Sequence, residues 1–367
     1  DQPVPDDSQI LLEDYSPDGV LVAVVEVDEQ VVYLHLAGHA HTDVAPLSCW
    51  VRNLRPAPMT LDEQPTGRAP LMPFDACAHP AGLPAPNADD LHVVWFPGGD
   101  GIALFDRNEL LAVIPPWAGV DECTGYARDC TGQTPVAWFL GALVNNPVRA
   151  KVTQAMAFWD SWKDGDQWRP FQEAILAEWT RHLGAHSHYY KIDGNRWPPK
   201  FVARAGEHGS VFFTGGMAIR PQPRIDIVWN EPDAIRHVEL ALALDPSLAA
   251  AMTDEQATEI VRGLSRLVSF PWAHAGWLGP GHTVPTTGLP IGPSGQSFDA
   301  LLVLADPPNA PDIVLPEYRG QKANLLWLVP ISATERAAAM AAESQSMLDN
   351  LWSNGASWRH TDRTVSS

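Results

Sequence analysis

The sequence predicts an α+β protein of two domains, the first rich in strands and the second built of alternating strands and helices. Three observations carry this expectation. Residues 20–36 and 91–114 hold short apolar, β-branched runs parted by turn residues. Residues 146–184 show apolar side chains at helical spacing. From Val211 onward, strand-like and helix-like stretches take turns. A chain of 367 residues, 45% apolar and 19% charged, can bury a core in each half. The expected division is 1–145 for the β-rich domain, 146–184 for a helical connector, 185–355 for the second domain and 356–367 for a disordered tail.

The first acidic residues read as a ragged tail. Val20–Val27 and Val31–Leu36 then form a hairpin across Asp28-Glu-Gln30. Cys49–Leu54 reads as a further short strand. The stretch from Pro56 to Asn87 is rich in Pro and Gly and reads as a long loop. Leu91–Pro97, Ile102–Asp106 and Glu109–Ile114 make a meander, which Pro115-Pro116 stops because proline cannot donate to a ladder.

Asn146-Pro147 is an N-cap followed by proline at the first helical position. Val148, Val152, Ala155, Met156 and Trp159 continue that helix. A second helix starts at Pro170, buries Phe171, Ile175, Trp179 and Leu183, and ends at Gly184. Val211–Ile219 is extended, with Gly215-Gly216 marking a bulge or a close backbone approach. His237–Leu244 alternates and reads as a half-buried strand with Glu239, Ala241 and Ala243 on its other face. Thr253-Asp-Glu-Gln256 is a capping box opening a helix to Val268. Phe298–Ala305 is apolar on both faces and is expected to sit centrally. Asn324–Pro330 is a strand, and Ser332-Ala-Thr-Glu335 caps a last helix burying Met340, Met347, Leu348 and Leu351.

The order of these pieces resembles the suppressor-of-fused domain family. The likeness covers about residues 189–352. It rests on Tyr189-Tyr190, the Val211–Ile219 strand, His237-Val-Glu-Leu-Ala-Leu, the Glu259–Leu267 helix, Gly281-His282, the 298–305 strand and Leu325–Pro330 leading into Ser332. The resemblance implies a mixed sheet packed with helices, acting by binding another protein without cofactor or chemistry. Animal members clamp an extended peptide of a transcription factor between two domains, and bacterial members look like immunity proteins against toxins. Here the extra domain precedes the shared one, so the peptide clamp does not carry over residue by residue.

Forty-four acidic against 24 basic residues give a net charge of −20. Such a surface repels phosphate backbones, which argues against nucleic acid, and attracts a basic partner; solubility alone also accounts for it. The 15 Trp are expected mostly in the core, with a few suited to a binding surface. Four Cys without a C-x-x-C pair fit a reducing cytosol rather than a disulfide scaffold. No apolar run reaches about 18 residues, so no membrane span is expected, and Asp1–Asp7 does not read as a signal peptide.

Candidate chemistry is sparse. His35, His39 and His41 make one possible metal set, and His182, His186 and His188 another, but neither has a zinc spacing. Ordinary loop histidines, or His182 at the negative end of its helix, are the simpler reading. Arg128 beside Cys130 would lower that thiol's pKa, against the alternative that Cys123 and Cys130 are buried structural thiols. Gly288–Gly295 looks faintly like a phosphate loop but lacks its Lys and leads into a strand. Asp89-Asp90 supports no glycosidase reading.

The sequence therefore points to a cytoplasmic, non-enzymatic protein-binding module, expected to neutralise a basic toxin or, alternatively, to sequester an extended peptide or transcription factor. A metal-dependent hydrolase using His35, His39 and His41 is the reading from another class. Expected interface residues are Trp277, His282 and Gln296 in the 277–297 loop, with the N-terminal meander across from them. No cofactor, metal or catalytic residue is assigned.

Overall fold

A computed structural model describes residues 8–39, 42–60, 69–141, 146–228, 230–285, 298, 300–340, 344–353 and 357–360. The chain divides into two compact units. The first comprises Asp1–Trp162, Pro223–Asn230 and Trp272–Gly276; the second comprises Lys163–Gln222, Glu231–Pro271 and Trp277–Ser367.

The first unit begins with a four-stranded antiparallel sheet of β1 (Gln9–Tyr15), β2 (Leu21–Val27), β3 (Val31–Gly38) and β4 (Leu47–Asn53), in chain order. The β2–β3 turn closes because the Asp28 carboxylate accepts the N–H groups of Gln30 and Val31, each at 2.7 Å. β1 lies where the sequence predicted no element, and the expected ragged tail at the first acidic residues falls outside the described residues. Its Leu11-Leu12 pair is only partly buried, a weak apolar signal against flanking Glu13 and Asp14. A second sheet runs β5 (Leu91–Trp95), β6 (Ile102–Asp106), β7 (Glu109–Ile114), β8 (Tyr126–Ala127) and β9 (Trp138–Phe139). The first three are the expected meander, and the two-residue strands are too short to leave a periodic signature.

Side chains from both sheets meet in one core, where Leu34, Trp50, Ile102, Leu104 and Ile114 are buried. The described part of the connection from 69 to 90 is tied to this core. Asn53 accepts the Met72 N–H and donates to the Met72 carbonyl, at 2.9 and 2.8 Å. A β-bridge pairs Cys77 with Cys130. Helix α1 (Pro147–Asp160) closes the unit's longest run, and Asn146 caps it by accepting from Val148 and Arg149.

The second unit is laid on a sheet in the order β10 (His188–Lys191), β11 (Phe201–Ala205), β12 (Val211–Gly215), β13 (Val238–Leu244), then β18 (Asn324–Ile331), β15 (Ala300–Leu304) and β14 (Thr283–Pro285). The strands are antiparallel neighbours except that β13 and β18 run parallel. Such a mixed sheet is what the family resemblance implied. A small hairpin pairs β16 (Glu317–Tyr318) with β17 (Gln321–Lys322). Helix α2 (Trp168–Leu183) lies on the sheet through Trp179, which stacks on Phe213 at 4.4 Å and meets Trp327 edge-on at 5.9 Å. Thus α1 belongs to the first unit and α2 to the second.

Among the described residues, α3 (Ile225–Val228) is followed by four more helical elements: α4 (Pro246–Ala251), α5 (Asp254–Ala273), α6 (Ala333–Met340) and α7 (Ser344–Ser353). Both expected capping boxes form. Thr253 and Gln256 exchange bonds of 2.9 and 3.2 Å, and Ser332 and Glu335 exchange bonds of 2.8 and 3.2 Å.

Four expectations need correction. β13 is buried along its whole length, not on one face, and lies inside the sheet between β12 and β18. β15 lies next to the sheet's end rather than at its centre, although it too is fully buried. Met340, expected on the buried face of the last helix, is 72% exposed at the end of α6, whereas Leu351 in α7 is buried against β15 and β18 as expected. Finally, Arg359–His360 forms β19, a parallel partner of Ala243 and Leu244, where a frayed tail was expected.

Gly215-Gly216 is a close approach, as expected. Gly216 has φ +101°, and a Cβ there would overlap the Pro199 carbonyl oxygen. Gly216→Ala is therefore expected to cost about 2 kcal/mol or more, read as a lower urea midpoint at unchanged slope. A change below about 0.5 kcal/mol would show that this turn adapts.

Candidate protein-binding loop

The segment from Trp277 to Pro285 holds two of the three residues singled out from sequence, and they touch. The Trp277 and His282 rings lie 4.0 Å apart between centroids, at 47°. Both are partly exposed. Gln296 lies outside the described residues, as does the Gly288–Gly295 stretch.

The local backbone explains the contact. Gly281 donates to the Val303 carbonyl while Val303 donates to the His282 carbonyl, each at 2.8 Å. Two residues thus face one, with glycine first at φ +89°, which is the bulge type that calls for glycine in the left-handed region. The bulge precedes β14 and re-aims His282 toward Trp277. Trp277 in turn rests over Gly279, where a Cβ would sit 2.8 Å from Cζ3 and 3.2 Å from Cε3. Burial holds the His282 pKa below its ordinary value, while a hydrogen bond to the Trp277 backbone works the other way.

The loop is anchored by Gln222. Its Oε1 accepts the Leu278 N–H at 2.8 Å, and its Nε2 donates to the Leu278 carbonyl at 2.9 Å and to the Ile235 carbonyl at 2.7 Å. Gln222 ends a segment whose other end is fixed from β13. Glu239 Oε1 accepts from the N–H groups of Gly216 and Ala218 at 2.7 and 2.9 Å, and Oε2 accepts from the Thr214 hydroxyl at 2.6 Å. Thr214 Oγ1 also takes the Leu240 N–H at 2.8 Å, so side chains replace the β12–β13 ladder where it stops at Phe213 and Ala241. His237 Nδ1 lies 2.7 Å from the Ala218 carbonyl, which can only accept, so Nδ1 carries the hydrogen.

Sequence reasoning missed this support. Gln222 carries one weak mark, its place between Pro221 and Pro223, and Gly279 carries none. Glu239 carries a real one: a carboxylate inside an otherwise apolar strand.

The other candidates resolve differently. His35 is engaged across the first sheet, 2.8 Å from Ser48 Oγ and 3.5 Å from a Glu26 carboxylate oxygen. His39 packs edge-on to Tyr15, and His41 lies outside the described residues. His182 sits 3.3 Å from Glu178, His186 leans on Tyr189 and His188 stacks on Tyr190. Among the described residues, no three His, Cys, Asp or Glu side chains are placed to share a metal ion. Arg128 does not activate Cys130: it pairs with Asp129 at 2.8 Å and Glu109 at 2.7 Å. Burial pushes the thiols of both Cys123 and Cys130 up, away from nucleophilic character. No described helix is long and apolar enough to cross a membrane.

A family model described as Suppressor of fused protein (SUFU) matches residues 190–364, from within β10 to beyond β19. Comparison with curated proteins gives no match, and comparison with solved structures gives none.

Proposed function

Residues 190–364 of this chain are a suppressor-of-fused domain, a protein-interaction module of a non-enzymatic family, and from that premise we propose that the chain is an immunity-type protein of the bacterial cytoplasm. In this reading it neutralises a basic toxin by covering the toxin's working surface, and the Trp277–His282 segment is the anchor.

The observation that carries this reading is the pinned aromatic pair next to an edge strand. Trp is enriched among the few residues that dominate binding energy, and a ring held in place loses little freedom on binding. The net charge of −20 supports a basic partner by speeding its encounter. A second reading, sequestration of an extended peptide, is favoured by β14, which ends the sheet among the described residues. A peptide adding there would take main-chain bonds from the strand's outer side, and Pro285 limits how many it finds.

The test is capture from the source cell with the intact protein as bait, followed by binding measurements on purified partners. Recovery of one basic, toxin-like protein near equal stoichiometry is expected. Trp277→Ala should then weaken it by about 30-fold, and Gly279→Ala, which displaces the ring without deleting it, should weaken it measurably with the fold intact. A partner whose affinity ignores both substitutions would remove this loop as the anchor. A partner that is an acidic or non-toxic peptide source would favour sequestration instead.

A further inference from the structure

The structure assigns Cys77 and Cys130, both free thiols, as the site of an intramolecular disulfide that would staple the first unit. The two residues form an isolated antiparallel β-bridge. Its flanking bonds run from the Ala78 N–H to the Asp129 carbonyl at 2.8 Å and from the Thr131 N–H to the Ala76 carbonyl at 2.9 Å. The bonds thus lie on either side of the pair, which makes it a non-hydrogen-bonded pair, the closer of the two kinds, with Cα atoms typically about 4.5 Å apart. Directly opposed residues also send their side chains to the same face. A Cα separation near 4.5 Å lies within the roughly 4.4–6.8 Å that disulfides span.

The other two cysteines are near but not opposed in this way. Cys49 lies in β4 across from Leu34, and its sulfur abuts Gly125. Cys123 precedes β8 and hydrogen-bonds weakly to the Gly125 carbonyl. Within the pair, Cys130 is fully buried, with its sulfur 3.3 and 3.5 Å from the Gly132 and Ala137 carbonyls, while Cys77 keeps 7% of its surface. Cys77 is therefore the thiol that a small oxidant reaches first. Both thiols are held protonated by burial, which makes the reaction slow at neutral pH and faster as pH rises.

With hydrogen peroxide as oxidant, the Cys77 thiolate displaces hydroxide from the peroxide to give the sulfenic acid, and a proton completes one water. The Cys130 sulfur then attacks the Cys77 sulfur, expelling the sulfenic hydroxyl as a second water. Two thiols and one peroxide thus yield one disulfide and two waters. The new bond would close the chain between the 3-10 turn at Phe74–Ala76 and the strand β8, across the connection that Asn53 and Met72 already hold.

The experiment uses the full chain, reduced, exposed to hydrogen peroxide over a pH series, alkylated, digested without reductant and read by mass spectrometry. A peptide pair joined through Cys77 and Cys130, lighter by two hydrogens than its parts, is expected. The oxidised chain should melt several degrees higher, and dithiothreitol should return it to the starting Tm. Cys130→Ser and Cys77→Ala should each abolish the link, and Cys49→Ala and Cys123→Ala should keep it; circular dichroism confirms that each variant folds. A link through Cys49 or Cys123, over-oxidation of Cys77 with Cys130 left as thiol, or a lower Tm on oxidation would overturn the assignment.

Discussion

Glu239→Ala will lower the stability of the second unit by about 4 kcal/mol, while Glu239→Gln will cost only about 1–2 kcal/mol. Glu239 is fully buried, and its carboxylate is the acceptor for the Gly216 and Ala218 N–H groups and the Thr214 hydroxyl. Alanine leaves those three donors buried without a partner, at about 1–3 kcal/mol each, less what local relaxation recovers. Removing a buried carboxylate also relieves a desolvation cost, which is why the expected loss is below the simple sum. Glutamine keeps one oxygen for the backbone donors and misplaces one amide nitrogen. Urea unfolding of the three proteins at pH 7 decides the matter. An alanine variant within 1 kcal/mol of the parent would mean that water replaces the carboxylate. Because Glu239 is inaccessible, partner affinity of the folded variants should change only through Gln222 and the loop it holds. Burial raises the Glu239 pKa, against the pull of its donors. A raised folded value means that its contribution is complete below the ordinary carboxylate range and declines as pH rises through the folded value.

The parts of this fold that the sequence shows are those whose cause is local. The Asp28 turn, the Asn146-Pro147 helix start and the two capping boxes each depend on residues a few positions apart, and each appears as read; the Gly215-Gly216 approach also appears, because a glycine pair marks itself even though its neighbour, Pro199, is distant in sequence. What escaped is set by distant partners. β13 looks half-buried because Glu239 interrupts its apolar pattern, yet that carboxylate points into the protein at backbone donors over 20 residues upstream. β19 is two residues long and exists only because Ala243 and Leu244 offer it an edge. At the candidate site, Trp277 and His282 were legible as an aromatic and a histidine in a Gly/Pro-rich loop. Their contact depends on a bulge opposite Val303 and on a glutamine 56 residues before Leu278, neither of which leaves a spacing to read.

Between pH 7 and pH 4 the parent chain will lose about 3 kcal/mol more stability than His237→Asn. His237 is buried, its Nδ1–H is spent on the Ala218 carbonyl, and its pKa is lowered from 6.5 to about 4, chiefly by burial. The Ala218 bond opposes that shift; among nearby charges Arg236 adds to it and Asp233 subtracts. A folded value below the unfolded one means that the unfolded chain binds the extra proton between those two pH values. The stabilising contribution is therefore complete above about 6.5 and is lost as pH falls toward about 4, a span worth roughly 3 kcal/mol at 1.36 kcal/mol per unit. Glu239 works in the opposite sense, so its titration masks part of the loss in the parent and is present equally in the variant. Asparagine keeps a donor for Ala218 and cannot titrate, which isolates the imidazole. Unfolding free energies of both proteins across the pH series, with the His237 ring proton followed by NMR, give the answer. Parallel curves, or a ring that titrates near 6.5 in the folded state, would place His237 in contact with water and detach it from the 216–222 segment. Divergent curves would tie acid sensitivity to the same segment through which β13 holds Gln222 and, beyond it, the Trp277–His282 pair.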